Sequence, residues 1–327
     1  MGDFKKPYIV VSKCLGFAHC RYNGHMISDD FVKELHSFVN FNPVCPEVEI
    51  GLGVPRNPIR IVSNKGKTKL MQSVTNKDIT DTMNNFAKTF LNSLDNIDGF
   101  ILKNRSPSCG IKDVRIYPGI GKVASISKST GFFGDAVLRK FPYFPVEDEG
   151  RLRNHRIKEH FLKKVFAFTK FSELKKSGSM DDLIKFHTKN KFLLMAYNQR
   201  SLKILGNIVA NKKKKKIEEL MEDYEKIFQY CFSKSPRYTS DINMLIHALG
   251  YFKKELSSKE KNFLLNSLQQ YKMGRIPLCV PISIIKSWII RFGQEYLMSQ
   301  TFFEPYPEAL IRCFPITDAE KNRDFWK

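Results

Sequence analysis

DGFILKNRSPSCG, residues 98–110, is the stretch on which the fold turns. Its apolar run, Phe100 to Leu102, is short and bounded by turn residues, the pattern of a strand buried on both faces. Asn, Ser, Pro and Gly then end the run. Cys109 sits in that turn with no second cysteine at CxxC spacing.

Working outward, the same pattern recurs. PYIVVSKCLG (7–16) is an apolar strand ending in a glycine loop, and NFNPVCPEVEIGLGVPR (40–56) is a strand that breaks into a Pro/Gly loop. PIRIVSN and TKLMQSVT (58–75) bracket a Gly turn and predict a hairpin. SDDFVKELHSF (28–38) has helical start signals. TNKDITDTMNNFAKTFLNSLDNI (75–97) places Ile79, Met83, Phe86, Phe90 and Leu94 on one helical face. Alternating strands and helices predict an α/β domain, Rossmann-like with a mostly parallel sheet, over residues 1–150. Cys14, Cys45 and Cys109 each fall just past the carboxyl end of a predicted strand. In open α/β sheets those ends line one ligand-binding crevice, so three distant cysteines are expected to meet.

From about residue 150 the texture becomes long helical periodicity, as in GRLRNHRIKEHFLKKVFAFTKF (150–171) and SMDDLIKFHTKNKFLLMAYNQRSLKILGNIV (179–209). We expect a connecting helix and linker over 151–180, with KSGS (176–179) exposed, and an all-α helical-bundle domain over 181–327. The formal charge of +21 is uneven: residues 1–150 carry 20 Lys and Arg against 15 Asp and Glu, the remainder 34 against 18. A basic second half favours a polyanionic partner such as tRNA, or is a solubilising lysine-rich surface. The run NKKKKK (211–216) reads as a solvated loop or helix start. No apolar segment has the length of a membrane span or the build of a signal peptide, so a soluble, cytoplasmic protein is expected. Seven cysteines in such a chain argue against disulfides.

Three thiols at the mouth of a sheet allow a metal site, a nucleophilic cysteine or unrelated core residues. Three ligands would leave one position open, as catalysis needs, and thiolates suit zinc or an iron-sulfur cluster.

Four motifs, VSKCLGFAHCRYNG (11–24), NPVCPEVEIGLGVPR (42–56), GFILKNRSPSCG (99–110) and PVEDEGRL (145–152), carry a resemblance. They resemble the thiouracil desulfidase (TudS-like) family. The second half, with KFHTKNKFLLMA (185–196) and LGNIVA (205–210), looks like the helical domain of unknown function often fused behind it. The resemblance implies a 4Fe-4S cluster held by Cys14, Cys45 and Cys109, with one open iron that takes the sulfur of a thiolated pyrimidine. It implies that Glu49, four residues after the second cysteine, handles protons, and that Ser106 holds or polarises the substrate. The implied net reaction is thiouracil plus water to uracil plus hydrogen sulfide, without electron transfer.

The chemistry agrees with that reading. A C=S carbon resists water until a Lewis acid draws charge to sulfur, and water needs a base to take its proton. Glu47 rivals Glu49: in an extended segment the two share a face, and a helical turn parts them. Gly51 and Gly53 fit a tight backbone close to the ligand, or an ordinary turn. Arg21 and Tyr22 are either a carbonyl donor and a stacking ring for the pyrimidine or a packing pair. Cys20 is a neighbouring thiol or a substitute ligand in the resting state. His187 with Lys189 and Lys191 is an anion site or, more simply, a structural histidine, and Tyr197 stands where the resemblance implies a histidine. Glu147, Glu149 and Arg151 are expected to pin the domain junction. Two functional readings remain: a desulfidase, or an RNA-binding protein that acts on or senses thiolated nucleotides with a non-catalytic cluster. A nucleic-acid-binding protein with a structural cluster or zinc is a third.

Overall fold

The computed structural model describes residues 4–64, 66–121, 123–212 and 214–311. Cys313 and Lys213 of the NKKKKK run lie outside them. The chain forms two compact units, one of residues 5–170 and one built from residue 171 onward.

In the first unit the elements run β1 (Tyr8–Ser12), α1 (Asp30–Leu35), β2 (Asn40–Val44), α2 (Pro46–Glu49), β3 (Ile59–Asn64), β4 (Lys67–Gln72) and α3 (Thr80–Asn92). There follow β5 (Gly99–Leu102), β6 (Val114–Tyr117), β7 (Ser127–Ser129), α4 (Phe132–Lys140), β8 (Val146–Asp148) and α5 (His155–Ser177), inside which the chain passes to the second unit. One sheet has the order β2-β1-β5-β8 and is parallel throughout, as the α/β pattern predicts. The hairpin β3–β4 instead belongs to a second, mixed sheet of order β4-β3-β6-β7.

The opening stretch does what its apolar run implies. All four residues of β5 are buried, and β5 lies between β1 and β8. Gly99 is needed there because a Cβ would meet the Pro145 carbonyl oxygen at 3.0 Å and Val165 of α5 at 3.2 Å. Register aligns the cysteines: Val11 pairs with Ile101 and Ser12 with Val44, so Cys14, Cys45 and the segment after β5 leave the sheet at one edge.

Helix α3 buries Met83, Ala87 and Leu91, while Phe86 and Phe90 flank that stripe, stacked at 5.6 Å between centroids. The stripe is therefore rotated from the expected one, because the phenylalanines cover the core edge against Phe133.

The second unit continues with α6 (Met180–Tyr197), α7 (Gln199–Val209), α8 (Ile217–Cys231), α9 (Tyr238–Leu249), α10 (Ser258–Lys272), α11 (Cys279–Arg291) and α12 (Glu295–Met298). No strand occurs in it among the described residues. Ser179 and Asn198 cap α6 and α7, and Ser257 with Glu260 closes a capping box on α10. Phe171, Phe186, Tyr224 and Phe228 form its aromatic centre. Cys279 departs from the all-thiol expectation: it is disulfide-bonded. Among the described residues no helix is long and apolar enough to cross a membrane.

Candidate active site

Three chain segments leave the parallel sheet at its carboxyl edge and enclose a cavity of about 490 Å³, within the range of small-molecule sites. Cys14, Cys45 and Cys109 all line it. Cys14 is half-buried, and the other two are buried.

Local sequence explains each placement. Cys45 caps the N-terminus of α2, where Pro46, with its preset φ, occupies the first turn. The expected Pro/Gly loop is thus a short helix first, and Gly51 (φ +82°) turns the chain out of it. A Cβ at Gly51 or Gly53 would meet nothing within 4 Å, so these glycines serve backbone conformation and not close approach to a ligand.

Cys109 is held by the loop after β5. Its amide donates to Ser106 Oγ at 3.1 Å, and the Gly110 amide donates to the Ser106 carbonyl at 2.9 Å. The amides of Gly131, Phe132 and Gly134 at the start of α4 donate to the carbonyls of Gly110, Pro107 and Ser108. A Cβ at Gly131 or Gly134 would lie within 2.6 Å of loop carbonyl oxygens, so only glycine lets α4 come this close. Sequence reasoning missed this clamp, whose only trace is the GFFG spacing.

Residues two apart on a helix project about 200° from each other. Because α2 is helical, it parts Glu47 from Glu49, and Glu47 is the one that enters the cavity. Glu49 is exposed and does not line it. Glu47 Oε2 accepts Arg56 Nε at 2.8 Å and Nη2 at 2.5 Å, a largely buried pair. Its Oε1 accepts the Ser108 hydroxyl at 2.6 Å. Ser108 has one hydroxyl proton, so at the 3.0 Å contact between the two serines Ser106 is the donor. Ser106, Ser108 and Glu47 thereby form a directed chain of hydroxyls ending on a carboxylate. Arg56 and Ser108 were not expected as site residues; their sole signal was position inside the two cysteine motifs.

Burial pushes the Cys109 thiol up to about 12. The Cys14 thiol, with burial adding, raises Cys20 to about 11, and the adjacent Cys20 thiol together with burial raises Cys45 further. These sulfurs hold protons in the bare protein. Binding a soft cation must release those protons and therefore strengthens as pH rises. Among the described residues no three His, Cys, Asp or Glu side chains close on a single metal ion. Three soft sulfur donors around a cavity of this volume are a donor set that fits an iron-sulfur cluster.

Cations dominate the wall. Lys13, Arg21, Arg56, Arg60, Lys103 and Arg105 line the cavity against the single carboxylate of Glu47. Arg60 is spoken for by the carbonyls of Ile120 and Gly121 and by the Tyr117 ring, 4.8 Å away. Lys103 pairs with the buried Glu149 and with Asn104 Oδ1. Lys13, Arg21 and Arg105 are in none of the ion pairs found among the described residues. Tyr22 is partly exposed on the same wall, with Arg21 5.9 Å from its ring.

Other expectations resolve outside this centre. Glu147 pairs with Arg151 at 2.6 Å, and Glu149 reaches Lys103, so these ion pairs are made within the first unit and one of them braces the cavity wall. In the second unit, His187 Nδ1 lies 3.1 Å from the Tyr224 hydroxyl, and burial holds its pKa below the usual value. Lys189 and Lys191 are exposed, and Tyr197 packs on Phe232 at 4.4 Å.

Comparison with known proteins divides the chain in the same way. Residues 9–149 match a family described as 2-thiouracil desulfurase, and residues 191–307 match a protein of unknown function (DUF1722). The uncharacterized protein YbbK of Bacillus subtilis (strain 168) is 30% identical over 138 residues, 38% of this chain and 91% of that protein. The uncharacterized protein YbgA of Escherichia coli (strain K12) is 25% identical over 157 residues, 47% of this chain and 93% of that protein. Among solved structures, a 4Fe-4S-dependent thiouracil desulfidase, TudS, is 30% identical with a TM-score of 0.37, covering 45% of this chain and 94% of that one.

Proposed function

Because the chain belongs to the 2-thiouracil desulfurase family through residues 9–149, we propose that it hydrolyses the C=S group of a thiolated pyrimidine and releases sulfide. The observation that carries this reading is the meeting of three strand-end cysteines with Glu47 in one cavity. Cys14, Cys45 and Cys109 would hold a 4Fe-4S cluster. That group would supply the Lewis acidity that polarises a C=S bond.

The chain's own residues supply the rest. Glu47 takes the proton of the attacking water, while Arg56 fixes which way its carboxylate faces. Ser108, bonded to Glu47, and Ser106, bonded to Ser108, carry a hydroxyl path towards the substrate. Tyr22 offers a face for the pyrimidine ring. One water is consumed, its oxygen replaces sulfur on the ring carbon, and both protons leave with sulfide. Glu49, the residue first expected in the proton-transfer role, is poorly placed for it because it faces outward.

Anaerobic preparation tests this reading. The expected protein is brown, holds about four iron and four sulfide per chain, and releases sulfide from 2-thiouracil. A colourless preparation that is active in air overturns it. The unpaired Lys13, Arg21 and Arg105 favour a substrate that carries phosphate, such as a thiolated nucleotide or tRNA, over the free base. Six to ten phosphate contacts would weaken tRNA binding about 10³–10⁵-fold between about 50 and 200 mM salt. Salt-insensitive turnover would favour the free base, and binding without sulfide release would favour the non-catalytic reading.

A further inference from the structure

Lys103 differs from the other cations of the cavity wall. It is the first residue past β5, and its side chain lines the cavity while only 19% exposed. Its amide donates to Ser12 Oγ at 2.8 Å. Glu149, just past β8, grips this segment twice: Oε1 accepts the Lys103 ammonium, and Oε2 accepts the Asn104 amide at 2.8 Å. Asn104 Oδ1 accepts the same ammonium. A Cβ on Gly150 would collide with Asn104 Nδ2, so glycine is what leaves that side chain its place.

An ammonium has three protons to donate. Among the described residues two of those on Lys103 have acceptors, Glu149 and Asn104, which leaves one for a ligand. The two arginines beside it are committed: Arg56 serves Glu47 and the carbonyls of Cys20 and Gly53, and Arg60 serves the carbonyls of Ile120 and Gly121. Glu149 is buried and is not among the residues lining the cavity, so it holds the lysine without taking ligand space. A donor fixed in this way is preorganised and gives up little side-chain entropy when a ligand arrives.

We propose that Lys103 donates its third proton to the ring carbonyl oxygen of the pyrimidine, the one that is not replaced, and that Glu149 is the positioning residue for this contact. This rests on the desulfidase reading above. In a pyrimidine with one oxo and one thioxo group, the carbons bearing them share a ring nitrogen. A cation on the oxo oxygen draws that nitrogen's lone pair away from the C=S carbon, which leaves the carbon more open to water. The same contact selects the substrate. A ring without the oxygen leaves a donor in the site unpaired, and sites built to hydrogen-bond a substrate group discriminate strongly against its absence.

The test uses the anaerobically reconstituted full chain. It measures kcat/KM for sulfide release from 2-thiouracil and from pyrimidine-2-thiol, which lacks the ring carbonyl, and inhibition by the sulfur-free products, uracil and pyrimidin-2-one. Lys103→Met alone would strand a buried carboxylate, so the informative variant combines Lys103→Met with Glu149→Gln. It should load as much iron as the parent, lose about 10²-fold on 2-thiouracil and little on pyrimidine-2-thiol, and lose the parent's tighter inhibition by uracil. Glu149→Gln alone should move the same two ratios in the same direction by a smaller factor, whereas a brace with a merely structural role would lower both substrates together. Equal losses on the two substrates, with the preference between inhibitors unchanged, overturn the proposal, as does a parent that does not prefer uracil. A parent that releases sulfide from neither compound overturns the desulfidase reading itself, and no variant is needed to see it.

Discussion

Among the described residues the two units differ in their ion pairs: the largely buried ones lie in the first. In the first, Arg56–Glu47 and Lys103–Glu149 are largely buried and stand on the cavity wall. In the second, Lys175–Glu225, Lys215–Asp223 and Arg291–Glu260 lie in the open. A buried pair must recover the cost of desolvation through geometry, so it fixes an orientation; an exposed pair is screened and fixes little. High net charge therefore does not locate function here. The more basic half carries these ion pairs on its surface, and the nearly balanced half holds the candidate site.

The sharpest way to break this contrast is at Glu47. Glu47→Gln keeps the shape and the Ser108 contact but removes the base, and should lower the rate of sulfide release about 10²–10⁴-fold with iron content unchanged. Glu49→Gln should leave the rate within about twofold. Reversed results would return the proton-transfer role to Glu49 and remove the significance of the cavity-facing side of α2.

Next in size is Arg56→Met. It strands the Glu47 carboxylate in a buried setting and should destabilise the first unit by about 3–5 kcal/mol, read by denaturant unfolding. The double variant Arg56→Met with Glu47→Leu should recover most of that loss while remaining inactive. If the single change costs no more than a surface pair, Arg56 does not hold Glu47 as described.

A pH effect should separate the units further. Burial, then the Lys164 and Lys163 charges, depresses His160 from 6.5 to about 4. Its folded pKa lies below its unfolded value, so the unfolded chain binds more protons between those limits. Stability then falls as pH drops from about 6.5 to 4, by about 3 kcal/mol at most. His160→Leu should flatten that part of the stability profile. An unchanged slope would mean His160 is charged in the folded protein.

How far these features were legible depends on whether one chain segment or several define them. The buried β5, the parallel sheet and the convergence of Cys14, Cys45 and Cys109 follow from apolar runs and strand-end turns, which are local signals. Which of Glu47 and Glu49 faces inward depended on whether CPEVE is helical, and four residues beginning with a proline are too few for periodicity to decide. Arg56 and Ser108 were hidden for another reason. Each acquires its role from a partner nine or sixty-one residues away, and neither residue type is unusual for a loop. The clamp of α4 on the Cys109 loop is likewise a long-range contact, visible in sequence only as two glycines.

The smallest expected effect tests the exposed half of the comparison. Lys215 donates to Asp223 at 2.7 Å and lies near Glu219 at 3.9 Å, on the solvent side of α8. Both partners of the closer pair are exposed, so water and salt screen the attraction and the lysine gives up chain entropy to hold it. Lys215→Ala should therefore leave the thermal midpoint unresolved from the parent at physiological ionic strength and leave sulfide release from 2-thiouracil unchanged. If the phosphate-bearing substrate is real and the basic unit grips it, the same variant should raise KM for thiolated RNA at low salt while KM for the free base stays put. A resolved loss of stability would instead mean that Lys215 braces the turn into α8, and that the charges of the second unit do structural work after all.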